Sequence, residues 1–160
     1  MTDKRIIVSG SRAWPDEHTV WLELAVYLNG QCEKGSTLTV VHGDCPTGAD
    51  HFAHRWVALP MDDYVDVTVV EERHPADWDR YGKAAGPIRN REMVDAGADL
   101  VLAFPLPGPW SRSRGTWDCV GAAEAHGIPV QVVKLDFQPR LTFGEVEHAA
   151  RLIDRAVSDG

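Results

Sequence analysis

At 160 residues, with 44% hydrophobic and 25% charged side chains, the chain has the size and make-up of one globular unit that buries a core without staples. No apolar run approaches the ~20 residues needed to span a bilayer, which excludes a membrane-spanning helix, and three cysteines leave an odd thiol under any pairing, which fits a reducing cytosol better than a disulfide scaffold. The net charge of −8 repels nucleic acid phosphates, so a nucleic acid partner is not expected.

The first residues, MTDKRIIVSGS, hold a three-residue apolar run, short of a signal-peptide core. With Cys32, Cys45 and Cys119 read as free thiols, a cytoplasmic location is expected. RIIVS (5–9) reads as a first strand, and Pro15 and Asp16 then open a helix that lines up Val20, Leu24 and Leu28 and stops near Asn29 and Gly30. LTVVH (38–42) reads as a second strand. Thr47 with Asp50 has the spacing of a capping box for a helix through Phe52, Trp56 and Leu59, stopped by Pro60. VDVTVV (65–70) is the third strand, and the polar stretch from Glu72 to Ala85 is long enough for a functional flap. A helix follows from Gly86 and Pro87 to Gly97, then a fourth strand, LVLAF (100–104), and a helix from about Thr116 to Gly127. VQVVKL (130–135) is the fifth strand. A last helix, over 142–158, opens with Thr142 and Glu145.

Three of the strands lack polar alternation, the mark of strands covered on both faces. Alternating strands and helices predict an α/β fold: a single Rossmann-like three-layer domain over residues 1–160, with a mainly parallel sheet of about five strands as its core (about 5–135) and a C-terminal helix. Right-handed crossovers bring all strand C-termini to one edge, where ligands of open α/β sheets bind. Four turns meet there.

VSGSRAW (8–14) lacks the Gly-x-Gly-x-x-Gly fingerprint, so no nicotinamide or flavin cofactor is expected. It offers Gly10 for close backbone approach, Ser11, and Arg12 to meet a phosphate or carboxylate. In VHGDCPTGAD (41–50), Gly43 and Gly48 permit tight geometry, Asp44 can accept from sugar hydroxyls, and amides around Thr47, Gly48 and Ala49 lie at a helix N-terminus; Asp50 serves there or only as a cap. His42, Cys45 and Cys119 lack a spaced fourth ligand, so no metal site is expected. GPIRNREM (86–93) places Arg89 and Asn90 in a first helical turn, where arginine opposes the dipole unless an anion is present. In PLPGPWSRSRGTWDCV (105–120), Arg114, Gly115 and Thr116 open a helix toward a phosphate, and Asp118 is an acid, a base or a helix-dipole partner. From Arg73 to Arg114 seven basic residues face five acidic ones, against nine and nineteen elsewhere, a distribution suited to a small anion. Trp14, Trp78 and Trp110 stand in polar loops, where they could stack a base.

Together VSGSR, VHGDCPTGAD, ADWDRYGKAAGPIRN and GADLVLAFP followed by SRGT resemble the YspA-like branch of the SLOG superfamily, the Rossmann-like group of DprA-like DNA-processing proteins and Lonely Guy phosphoribohydrolases. The resemblance covers about residues 5–133 and implies a nucleotide-derived ligand of ADP-ribose or nucleoside phosphate type over the strand C-termini. It also implies pairing into a homodimer through helices. The hydrolases carry R-K-x-x-M and P-G-G-x-G-T-x-x-E motifs; Arg89, Met93, Gly115 and Thr116 match them. Ser111, Arg112 and Ser113 replace P-G-G, and Cys119 replaces the glutamate, with Asp118 one residue early, a rotation of about 100 degrees on a helix. The expected function is therefore binding, as a sensor or sequestering protein, with Arg89 on a phosphate and Asp44 on ribose. The alternative is a nucleoside monophosphate N-glycosidase that uses Asp118 or Asp44 as its catalytic carboxylate.

Overall fold

The computed structural model describes residues 2–60 and 66–135. Five parallel strands, β1 (Lys4–Gly10), β2 (Thr37–His42), β3 (Thr68–Arg73), β4 (Leu100–Phe104) and β5 (Val130–Val132), form one sheet in the order β3-β2-β1-β4-β5. The helices are α1 (Glu17–Gln31), α2 (Gly48–Val57), the single turn α3 (Trp78–Tyr81), α4 (Ala85–Asp95) and α5 (Arg114–Ala125). The helix expected over 142–158 lies outside the described residues. Among the described residues no helix is long and apolar enough to cross a membrane.

The unbroken apolar runs of the sequence have their cause in two separate cores. Successive side chains of β1 point to opposite faces: Ile6 and Val8 pack with Val20, Leu24, Ala53 and Trp56 of α1 and α2, while Ile7 packs with Met93, Val94, Cys119 and Ala123 of α4 and α5. The result is the three-layer Rossmann-like α/β fold. Asp16 caps α1 by accepting from the Thr19 amide at 3.2 Å. Thr47 and Asp50 do not form the expected box: the Thr47 side chain makes no capping bond, and Asp50 accepts instead from the Cys45 amide at 3.4 Å.

β3 begins and ends about three residues later than expected, because its polar end is neutralised rather than solvated. Glu71 accepts from His42 Nε2 and faces His54 Nδ1, each at 2.8 Å, and Arg73 Nε donates to it at 2.9 Å. Burial raises the Glu71 carboxyl, but these bonds outweigh it and hold the group below the usual carboxylate range. One residue on, Glu72 pairs with Arg5 at 2.6 Å. The Arg5 guanidinium also reaches the carbonyls of Met93 and Gly97, so it closes the last turn of α4 and ties that helix end to β1. Gly97 takes φ +83 there, the left-handed residue that ends a helix.

Candidate functional site

β1 is the point at which the strand order reverses: its crossover through α1 leads to β2 on one side, while β4 lies on the other. The crevice above the strand ends at such a reversal is where open α/β sheets hold ligands. A cleft of about 660 Å³ lies there, lined by the turn after β1, Gly43 and Asp50, the α3–α4 region, and the start of α5. That volume is within the usual range for ligand sites.

The turn after β1 is held by its own backbone. The Ser11 amide donates to Phe104 O at 3.0 Å, and Ser11 O accepts from the amides of Trp14 at 3.0 Å and Ala49 at 3.4 Å. A Cβ at Gly10 would overlap Ala49 Cβ, and would lie 2.9 Å from Phe104 Cβ. Trp14, read above as a stacking ring, is instead 2% exposed and packs edge-on against Phe104, with centroids 5.4 Å apart; its Nε1 donates to Asp16 O. A ring in a polar stretch of sequence thus became core through a residue 90 positions away.

The expected site residues divide into two groups. Gly10, Ser11, Arg12, Gly43, Asp50, Arg89, Asn90, Arg114, Gly115, Thr116 and Asp118 all line the cleft. Asp44, Thr47, Gly48 and Ala49 do not. Asp44 is exposed, takes φ 55, and lies 3.9 Å from Arg73 on the β3 side. The Ala49 amide is already bonded to Ser11, and a Cβ at Gly48 would overlap Ser11 O, so these residues lock α2 onto the first turn.

Arg89 differs from its expected setting. Because α4 starts at Ala85, after a 3-10 turn over Gly82–Ala84, Arg89 stands in the second helical turn, where the dipole argument has little force. Its guanidinium lies against Gly43 and donates to the carbonyls of Gly43 and His74, and its Nε donates to Asn90 Oδ1 at 3.0 Å. Asn90, 2% exposed, uses its amide fully: Nδ2 donates to Gly115 O at 3.1 Å and to Asp118 Oδ2 at 2.9 Å. The chain Arg89–Asn90–Asp118 therefore stitches α4 to the start of α5. Despite its one-residue offset, Asp118 faces the cleft.

Five cationic side chains line the cleft, Arg12, Lys83, Arg89, Arg112 and Arg114, against the carboxylates of Asp50 and Asp118. Among the described residues, Lys4, Arg5, Arg55 and Arg73 form the Lys and Arg ion pairs, and none of those five does. Lys83 and Arg112 belong to the basic segment read from sequence, which does not by itself assign them to the binding turns. Burial pushes the Asp50 carboxyl up, against the opposing pull of His42 and Arg89. A raised carboxyl gives stability that is full below the unfolded value and lost as pH rises through the folded one. Asp50→Asn, which is never ionised, is accordingly expected to melt higher than the parent at pH 8, with the difference vanishing toward pH 4. A variant that loses stability relative to the parent as pH rises would contradict this. Burial also raises the Cys45 thiol and pushes Cys119 up to about 11, so neither is set up as a nucleophile.

At α5 the arrangement is open. Ser113, its N-cap, makes no capping bond, since its Oγ accepts from the Leu106 amide at 2.8 Å. Thr116 is 3% exposed and lines the cleft, yet its Oγ1 is buried with no hydrogen-bond partner. A Cβ at Gly115 would meet nothing within 4 Å beyond its chain neighbours and its own helix backbone.

A parallel sheet whose strand order reverses at β1, with a cation-rich cleft above the reversal, defines a Rossmann-like α/β protein. A family model described as "YspA, cpYpsA-related SLOG family" matches residues 4–81, and the Gene 61 protein of Mycobacterium phage D29 is 46% identical over 127 residues, which is 79% of this chain and 94% of that protein. The chain belongs to this SLOG family, whose membership implies nucleotide-related ligand binding at a coarse level. The matched residues end at α3, so α4 and α5, with Arg89 and Thr116, lie beyond them. No solved structure matches the chain.

Proposed function

We propose that the protein binds a nucleotide-derived ligand, of ADP-ribose or nucleoside phosphate type, as a sensor or sequestering protein. The observation that carries this reading is the Thr116 hydroxyl, buried and unpartnered at the uncapped N-terminus of α5. Buried polar groups are nearly always bonded, and helix N-termini favour anions, so a phosphate oxygen accepting from Thr116 and the first-turn amides would complete both. Gly115 leaves the room, and the unpaired cations supply the charge.

Thermal shift against ADP-ribose and nucleoside monophosphates tests it, since a ligand that binds only the folded form, at 100 times its dissociation constant, adds about 2.7 kcal/mol. Thr116→Val keeps the shape and removes the donor. It is expected to weaken binding about tenfold while leaving the free protein at least as stable, because the hydroxyl has no partner to lose. Unchanged affinity would remove the phosphate from α5. The position of Asp118 in the cleft wall, oriented by Asn90, favours a second reading, N-glycoside hydrolysis; release of free base in the same incubations, lost in Asp118→Asn, would select it.

A further inference from the structure

Two tryptophans are conspicuously uncovered. Trp78 and Trp110 leave 47% and 63% of their surface open, whereas Trp14 and Trp56 are 2% and 3% exposed. Both open rings line the same cleft. Each also carries a guanidinium from the cleft wall: Arg12 is 5.1 Å from the Trp78 ring centroid, and Arg114 is 5.1 Å from that of Trp110. Isolated apolar side chains on a surface are ordinary, but two indoles with stacked arginines at one cleft are not scattered.

The rings come from the loops of two different strands. Trp78 follows β3 and Trp110 follows β4, and β2 and β1 lie between those strands, a separation of three interstrand steps or roughly 14 Å at the sheet. The start of α5, with Thr116, lines the same cleft. The Trp78 ring lies near α4, 3.4 Å from where a Cβ on Gly86 would be.

We propose that the cleft takes a dinucleotide, one base stacked on Trp78 and the other on Trp110, with the linking phosphates at the N-terminus of α5 and Thr116. This rests on the anion reading given above and adds to it the second base. The missing Gly-x-Gly-x-x-Gly turn is no obstacle, because that turn serves pyrophosphate after β1, and the free donors here are at α5. Stacking of a base on an aromatic ring tolerates any base, so the two rings select for the number of bases rather than their identity.

Diadenosine pyrophosphate and ADP-ribose share one adenosine, the pyrophosphate and the second ribose, and differ only in the second adenine. Calorimetric titration of the intact chain is expected to give a dissociation constant about tenfold lower for diadenosine pyrophosphate, the lower range of a stacking contribution. Trp78→Ala and Trp110→Ala, each at an exposed side chain, should each weaken diadenosine pyrophosphate about tenfold, and in the double variant it should bind no tighter than ADP-ribose. Equal binding of the two ligands by the parent, or an unchanged affinity in either single variant, overturns the dinucleotide. If ADP-ribose and AMP bind in a Thr116-dependent way but the second adenine adds nothing, the phosphate site stands and the second base falls. If none of the three binds, both readings fall together.

Discussion

Gly10→Ala is expected to lower stability by about 3 kcal/mol and the melting temperature by roughly 6–12 °C. The added methyl has nowhere to go: Ala49 Cβ, Phe104 Cβ and Phe104 O surround the site, and all three belong to backbone or to atoms attached directly to it. Side chains with flexible ends could swing away, but these atoms move only if α2 or β4 moves. A thermal melt checks the result. A drop of less than about 2 °C would mean that α2 stands further from the end of β1 than described, and would undo the geometry of the cleft floor with it.

Reversing two charges at the mouth is the second large effect. Arg12→Glu combined with Arg114→Glu is expected to weaken the nucleotide ligand by about a thousandfold, because a unit charge about 7 Å from a phosphate is worth roughly 2 kcal/mol at an effective dielectric of ~20, less what salt removes. Both arginines are exposed and stack on tryptophans, so the pair Arg12→Gln with Arg114→Gln serves as the measure of lost stacking without reversed charge. That pair should lose far less, and the gap between the two variants should narrow as ionic strength rises. Affinity within threefold of the parent in the reversed variant would show that the ligand's anion lies elsewhere.

Much of this architecture was legible because strands covered on both faces leave an unmistakable signature. RIIVS, LTVVH and LVLAF lie within a residue of the observed β1, β2 and β4, since no charged side chain interrupts their apolar runs. β3 is displaced because Glu71 ends the apolar run and Glu72 and Arg73 read as the start of a loop, and only His42, His54 and Arg5, brought from other elements, make them tolerable in a strand. Four-residue α3 was invisible for the opposite reason: WDRY is too short to show a period. At the site, glycines and arginines in turns after strands were readable as a group, but the partners of individual side chains were not. For Arg89 the sequence shows a cation at a helix start, but not the carbonyls of Gly43 and His74 that its guanidinium meets. The vacancy at Thr116 Oγ1 could come only from three-dimensional packing, since a threonine at that place is usually satisfied by its own helix.

The Arg5 clamp has a mechanical side. By gripping the carbonyls of Met93 and Gly97, it anchors the far end of α4 to the strand at the centre of the sheet. The near end of that helix carries the Trp78–Ala84 segment, none of whose residues is buried. With α4 pinned at its far end by Arg5 and along its length by Arg89 and Asn90, an incoming molecule meets its least resistance in the tryptophan-bearing segment rather than in the helix itself.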